Sequence, residues 1–203
     1  MRSELSFAKP ESFVAQGLKV MKKVFVSALI AMIAVLPASS VFAASAAAID
    51  GNVNDTIAVF KDEVNGADVF LSQAVGYLVF PRVIKVGIGI GAETGEGALR
   101  VNGRTAAYYR TTSGSFGLQL GAQAKSIVIA FMTKESLAKF RNSSGWQVGV
   151  DGSVALIDLG AGKQINTGNI KDPVVGFIFG AKGLMYNLTL EGTKISRIKT
   201  EQP

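Results

Sequence analysis

The run VGIGIGAETGEG, residues 86–97, constrains the fold more than any other stretch. Gly87, Gly89 and Gly91 alternate with Val86, Ile88 and Ile90. Successive residues of a strand point to opposite faces. An extended chain here carries three branched side chains on one face and bare backbone on the other. A bare strip admits a close-packed neighbour or lets the sheet coil sharply. The competing reading is a phosphate loop, because Gly87-Ile88-Gly89 with Ala92 fits a loose GxGxxA pattern. That fingerprint requires a helix to begin inside the glycine loop and aim its N-terminus at pyrophosphate. Gly95 and Gly97 follow instead, and glycine is a poor helix former. No GxxxxGK[ST] motif occurs. The stretch therefore reads as strand, and no nucleotide is expected. The habit recurs at Gly114/Gly117/Gly121 and Gly176/Gly180/Gly183. Close packing is the main expectation, and a shallow groove for an acyl chain is the alternative.

The remaining pattern sets the architecture. From Asn52 to Ala74 the apolar residues Val53, Ile57, Phe60, Val64, Ala67 and Leu71 recur at steps of three and four, which predicts a helix. Asp50, Asn52 or Asn54 is its expected cap, and Asn65-Gly66 is a possible break. After Val75 the chain turns β-branched and aromatic in short runs. Pro81 predicts an edge, bulge or break within the first run. Asn102-Gly103 predicts a tight hairpin. Residues 133–140, TKESLAKF, are the one helical interruption, with Thr133 as N-cap. Turn residues at Asp151-Gly152, Gly160–Gly162, Asp172-Pro173 and Glu191-Gly192 divide the later strands. The predicted class is α+β: a mainly antiparallel, strongly curled sheet or partial barrel, with an N-terminal helix and one short inserted helix.

Composition removes whole classes of chemistry. The 203 residues include no cysteine and no histidine. Disulfides, thiolate nucleophiles, Cys/His zinc sites and the Ser-His-Asp triad are thereby excluded. Ser136 and Lys139 form an SxxK pair, but the companion SDN and KTG elements of that enzyme class are missing. Glu93/Glu96 and Asp151/Asp158 sit in turn-rich stretches where solvated acids are ordinary. We expect no enzyme, no catalytic residue, no metal and no cofactor.

Residues 21–43 begin Met21-Lys22-Lys23, continue as an apolar run to Leu36, and end Val41-Phe42-Ala43. This is the pattern of a secretory signal peptide cut after Ala43. Translation from Met21 is expected, with residues 1–20 otherwise an extended leading region. Domain boundaries are set at 1–43 for the export segment, 44–51 for a linker and 52–203 for the domain. Five of the 21 basic and two of the 15 acidic residues lie in 1–43, so the remainder carries sixteen against thirteen, a net of +3. A nucleic-acid partner does not follow from so small an excess.

The ordered segments AVGYLVFPRVIKVGIGIGAETGEGAL, GSFGLQLGAQAKSIVIAFMTKESLAKF, GVDGSVAL and GFIFGAKGLMYNLTLEGTKI resemble the SYLF-domain family of lipid-binding modules. The resemblance spans about Asn52 to Ile198. It implies a non-enzymatic module that binds membrane lipid; eukaryotic members bind phosphoinositides and a yeast branch binds actin. For an exported member, phosphatidylglycerol or cardiolipin is the implied lipid, and an envelope protein is a further possible partner. The basic N-terminal helix of eukaryotic members is replaced here by one carrying Asp55, Asp62, Glu63 and Asp68 against Lys61. The expected lipid contact is therefore the basic cluster Arg82, Lys85, Arg100, Arg104 and Arg110, gathered on one rim, with periplasmic location at an anionic phospholipid surface. Phe60, Phe70, Leu71 and Trp146 are expected in the core. Two other readings stand beside this one: a structural or stress-related envelope protein acting through protein contacts, and a small outer-membrane barrel.

Overall fold

The structure, a computed structural model, describes residues 45–158, 171–183, 190 and 192–200, without the side chains of 117–120, 158 and 183. All of them belong to the unit that begins at Ala43. The expected export segment, the Gly160–Gly162 turn and Glu191 lie outside the described residues.

Helix α1 (Ala46–Glu63) starts six residues before Asn52, capped by Ser45, whose side chain accepts from the Ala48 N–H. The small residues read as a linker are its first turn. Alanine is the best helix former, and a serine ahead of three alanines is a sufficient start signal. The cap is thus Ser45 and not Asp50, Asn52 or Asn54. The helix stops at Val64, and Gly66 at φ 87° turns the chain into α2 (Ala67–Gln73). Asn65-Gly66 is therefore a true break.

The sheet is built on two long strands, β1 (Gly76–Val101) and β2 (Arg104–Phe131). Asn102 at φ 50° and Gly103 at φ 74° join them in the tight turn that the sequence predicts. After β2 come α3 (Lys134–Asn142), β3 (Trp146–Gln147), β4 (Ala155–Asp158), β5 (Val174–Gly183) and β6 (Lys194–Ile198). Thr133 caps α3, accepting from the Ser136 N–H at 3.1 Å. Along its other edge β2 pairs with β6 near its start and with β5 near its end. Pairing is antiparallel except between β4 and β5. Several short strands expected before Phe131 are thus two continuous ones. Their glycines bend the ribbon without ending it.

Pro81 lies at a register shift in β1, the strand that pairs only with β2, so edge and bulge coincide there. The sheet buries both faces. Val79, Ala98, Val128, Ala130, Val175, Phe177 and Phe179 pack under α1 and α2. Phe60 meets Phe177 and Phe179 with ring centres 5.3 and 5.1 Å apart. On the opposite face Leu78, Phe80, Leu99, Ile127, Ile129 and Phe131 pack with Phe140 of α3 and with Trp146. Each such buried aromatic or aliphatic side chain contributes about 1.5–3 kcal/mol. Phe60, Phe70, Leu71 and Trp146 are core, as expected.

Curling is forced where the first and last parts of β1 meet. A Cβ on Gly97 would lie 2.0 Å from the Val79 carbonyl oxygen, and one on Gly95 would lie 2.7 Å from that of Arg82. No side chain fits between backbones this close. The result is a half-barrel closed on glycine.

Candidate functional site

The β1–β2 ribbon doubles over at the glycine run. Pairing slips between Ile88 and Ile90, Gly89 takes φ 71°, and Gly121, opposite Gly87, takes φ 129°. A Cβ on Gly87 would sit 2.7 Å from the Gly91 Cα. At Gly87 the strip is therefore filled by its own facing backbone, as close packing predicts, whereas at Gly89 a Cβ would meet nothing. Chain on both sides of the bend is strand, so no helix N-terminus is offered to a phosphate.

The other face of the bend is open. Ile88 is 81%, Ile90 66% and Phe116 85% exposed, with Val86 and Ile84 exposed beside them. Ile90 and Phe116 are cross-strand partners. The helices α1 and α2 cover the sheet only as far as Val79 and Ala98, so this end lacks a cover. Large apolar residues exposed together at one tip mark an interaction surface.

Behind the bend the inner face turns polar. Lys85, Glu93, Gln123 and Lys125 are all buried. Lys85 and Gln123 are paired across β1 and β2, and Lys125 lies next along the same face. Lys125 Nζ is 3.0 Å from Glu93 Oε2, close enough for an ion pair but without hydrogen-bond alignment. Glu93 Oε1 and Gln123 Oε1 accept no hydrogen bond. Leaving ions this far from water costs on the order of several kcal/mol each unless they are fully partnered.

The five basic residues of the expected rim are dispersed. Arg100 is buried against α1, 3.3 Å from Asp50 Oδ1 and donating to Asn54 Oδ1 at 2.8 Å. Lys85 is buried on the opposite face. Arg110 is held by Glu96. Arg82 and Arg104 are exposed. Arg82 abuts Gly95, and the hairpin at Arg104 is more than six residues further along β1, roughly 20 Å. A single rim of five cations is not formed. Alternation on β1, shifted by the Pro81 bulge, sends 85 inward, while 100 turns to the helix side.

Asp50 fastens α1 to the sheet. It accepts from Thr105 Oγ1 at 2.6 Å and from Tyr108 Oη at 2.8 Å, and it pairs with Arg100. Burial first, then the bond to Asp50, raises the Tyr108 pKa above its usual value. Beyond Tyr108, where β6 leaves β2, lies a cleft of about 770 Å³ lined by Thr105–Tyr108 and Arg197–Thr200. Ser136 of the SxxK pair donates its hydroxyl to the Thr133 and Pro173 carbonyls. Asp151 accepts from the Gln147 N–H in a turn, and the Asp158 side chain lies outside the described residues. Among the described residues no cluster of metal-ligating side chains occurs.

Phe116, Gln123 and Lys125 are absent from the sequence expectations. The last two were legible: stepping back by twos from the core residues Phe131, Ile129 and Ile127 lands on Lys125 and Gln123. Phe116, between Ser115 and Gly117, lies in a run read as strand, and no local pattern marks it as the exposed tip.

Comparison with known proteins agrees with the resemblance. Residues 112–202 match the family described as Ysc84, Las17-binding protein actin regulator. No curated protein matches the chain. From Thr112, within β2, to beyond the end of β6, the chain is similar to the SYLF (Ysc84) family.

Proposed function

We propose that this chain is an exported, non-enzymatic lipid-binding module that attaches to anionic phospholipid bilayers through the bend of its β1–β2 ribbon. The SYLF family match supports a lipid- or protein-binding role in general. One observation carries the finer reading: Ile88, Ile90 and Phe116 stand exposed together at a tip that no other element among the described residues covers. Export rests on the signal-like segment 21–43 and places the lipid surface in the periplasm. The absence of histidine and cysteine supports a binding role over catalysis.

Magnitudes favour the apolar tip over the basic residues. Burying three large apolar side chains halfway contributes about 2–4.5 kcal/mol. Each arginine near an anionic surface contributes about 1 kcal/mol, falling with salt. With Arg100, Lys85 and Arg110 committed or buried and Arg104 at the hairpin end away from the bend, Arg82 supplies about 1 kcal/mol. Attachment is thus mainly hydrophobic, with a modest electrostatic preference.

Flotation of the protein with phosphatidylglycerol vesicles tests this. The triple variant Ile88→Ser/Ile90→Ser/Phe116→Ser is expected to lose at least tenfold in bound fraction at any salt. Arg82→Gln/Arg104→Gln is expected to lose less, and only at low salt. Unchanged flotation of the triple variant would overturn the reading. A mature protein recovered with residues 21–43 still attached would overturn export.

A further inference from the structure

Four side chains meet behind the bend with bonding capacity left over. Lys85 is 6% exposed and makes no hydrogen bond or ion pair. Lys125 Nζ has Glu93 as its ionic neighbour and no aligned acceptor. Glu93 Oε1 and Gln123 Oε1 have no donor. Two lysines and one glutamate are therefore buried at this end of the sheet, a net of one positive charge. The core around Val83 and Ile127, one step further in, is apolar and fully buried. Ions in such a place are held by opposite charge and by hydrogen bonds. What is missing is one negative charge together with donors for two idle acceptors.

A phosphate monoanion that bears hydroxyl groups meets both demands. Its unprotonated oxygens accept from Lys85 and Lys125. Its hydroxyls donate to Glu93 Oε1 and Gln123 Oε1. We propose that Lys85, Glu93, Gln123 and Lys125 form a binding site for a hydroxyl-bearing phosphate monoanion, either dihydrogen phosphate or the phosphoglycerol head of a lipid. Lys85 and Glu93 are each two residues from the touching glycines Gly87 and Gly91, about 7 Å along the strand. A head held by these side chains sits directly behind the apolar tip, so the lipid source rests on the membrane reading above.

Thermal unfolding of the full protein tests the site without any membrane. The probes are inorganic phosphate near pH 6, glycerophosphoglycerol, and sulfate as an anion lacking hydroxyls. At ten times its Kd, a probe that binds only the folded state raises Tm by about 3–5 °C. The expected result is a rise with phosphate or glycerophosphoglycerol and a much smaller one with sulfate. A rise with phosphate alone identifies free phosphate as the ligand; a rise with glycerophosphoglycerol identifies the lipid head. Lys85→Met is expected to abolish the rise, and the surface variant Lys134→Gln to keep it. Should Lys85→Met fail to fold, Gln123→Glu, which cancels the net positive charge in nearly the same shape, is expected to abolish it too. No rise with either phosphate probe, or an equal rise in these variants or with sulfate, overturns the proposal. Loss of flotation in the tip variant leaves the site standing if the thermal shift persists. An absent thermal shift sinks the site and leaves the membrane reading intact.

Discussion

Two polar clusters lie at opposite ends of the same ribbon, and they are finished to different degrees. At the helix end, Asp50 takes bonds from Thr105, Tyr108 and Arg100, and Arg100 also reaches Asn54; only Arg100 Nε is left over. At the bend, Lys85 has no partner, and Glu93, Gln123 and Lys125 each keep an unused atom. Both clusters join basic and acidic groups, but Asp50 keeps 32% of its side chain exposed, whereas Lys85, Glu93, Gln123 and Lys125 are all buried. The saturated one is a fastener that holds α1 on the sheet. The unsaturated one makes a single ion pair, Lys125 with Glu93, and leaves the rest of its bonding capacity unused, which is the mark of a site built for something else.

Cutting one cation from each cluster separates these roles most widely. Arg100→Met leaves Asp50 without its charge partner and loosens α1. A loss of about 3 kcal/mol in urea unfolding is expected. Lys85→Met removes an ion with no partner to strand, so the same measurement is expected to show no loss or a gain of up to about 1 kcal/mol. Equal losses in both variants would erase the distinction between fastener and site.

The glycines offer the next contrast. A methyl on Gly97 meets the Val79 carbonyl at 2.0 Å, a backbone atom that cannot swing aside. Gly97→Ala is expected to cost about 2–3 kcal/mol by forcing the crossing parts of β1 apart. Gly114→Ala points into open space and is expected to change stability by less than about 0.5 kcal/mol. Denaturant midpoints of the two variants check whether curling depends on the crossing, as the close contacts require, or on glycine content in general.

Much of this was legible in the sequence, and the failures have physical causes. The Asn102-Gly103 turn, the Thr133 cap and the core role of Phe60 and Trp146 follow from local chemistry that tertiary contacts leave unchanged. The alternation Val86, Ile88, Ile90 correctly put one apolar row opposite a bare one. What the pattern could not tell was that the bare row would be filled by backbone and the apolar row left open, because that depends on how far two helices reach along a sheet. The basic rim failed for a related reason. Closeness in sequence brought five cations together on paper, but strand alternation and one bulge at Pro81 sent them to different faces. Arg100 found Asp50, fifty residues earlier, a pairing that no local spacing reveals.

The smallest expected effect concerns pH and probes the fastener alone. Tyr108 is held protonated by partial burial and by donating to Asp50, so its folded pKa lies above the usual 10.0. A group whose pKa is raised on folding contributes stability that is complete below the unfolded value and disappears as pH rises through the folded one. Stability is therefore expected to be flat to about pH 10 and to fall above it. Tyr109, buried in the core on the other face, is raised by burial and adds to the same fall. Tyr108→Phe is expected to be slightly less stable at neutral pH, with a shallower alkaline decline, because only Tyr109 still titrates against burial. Urea midpoints at pH 8 and pH 11 measure both slopes. Identical declines in the two proteins would mean that the Tyr108–Asp50 bond contributes nothing to holding α1, and the fastener would then reduce to Arg100 and Thr105.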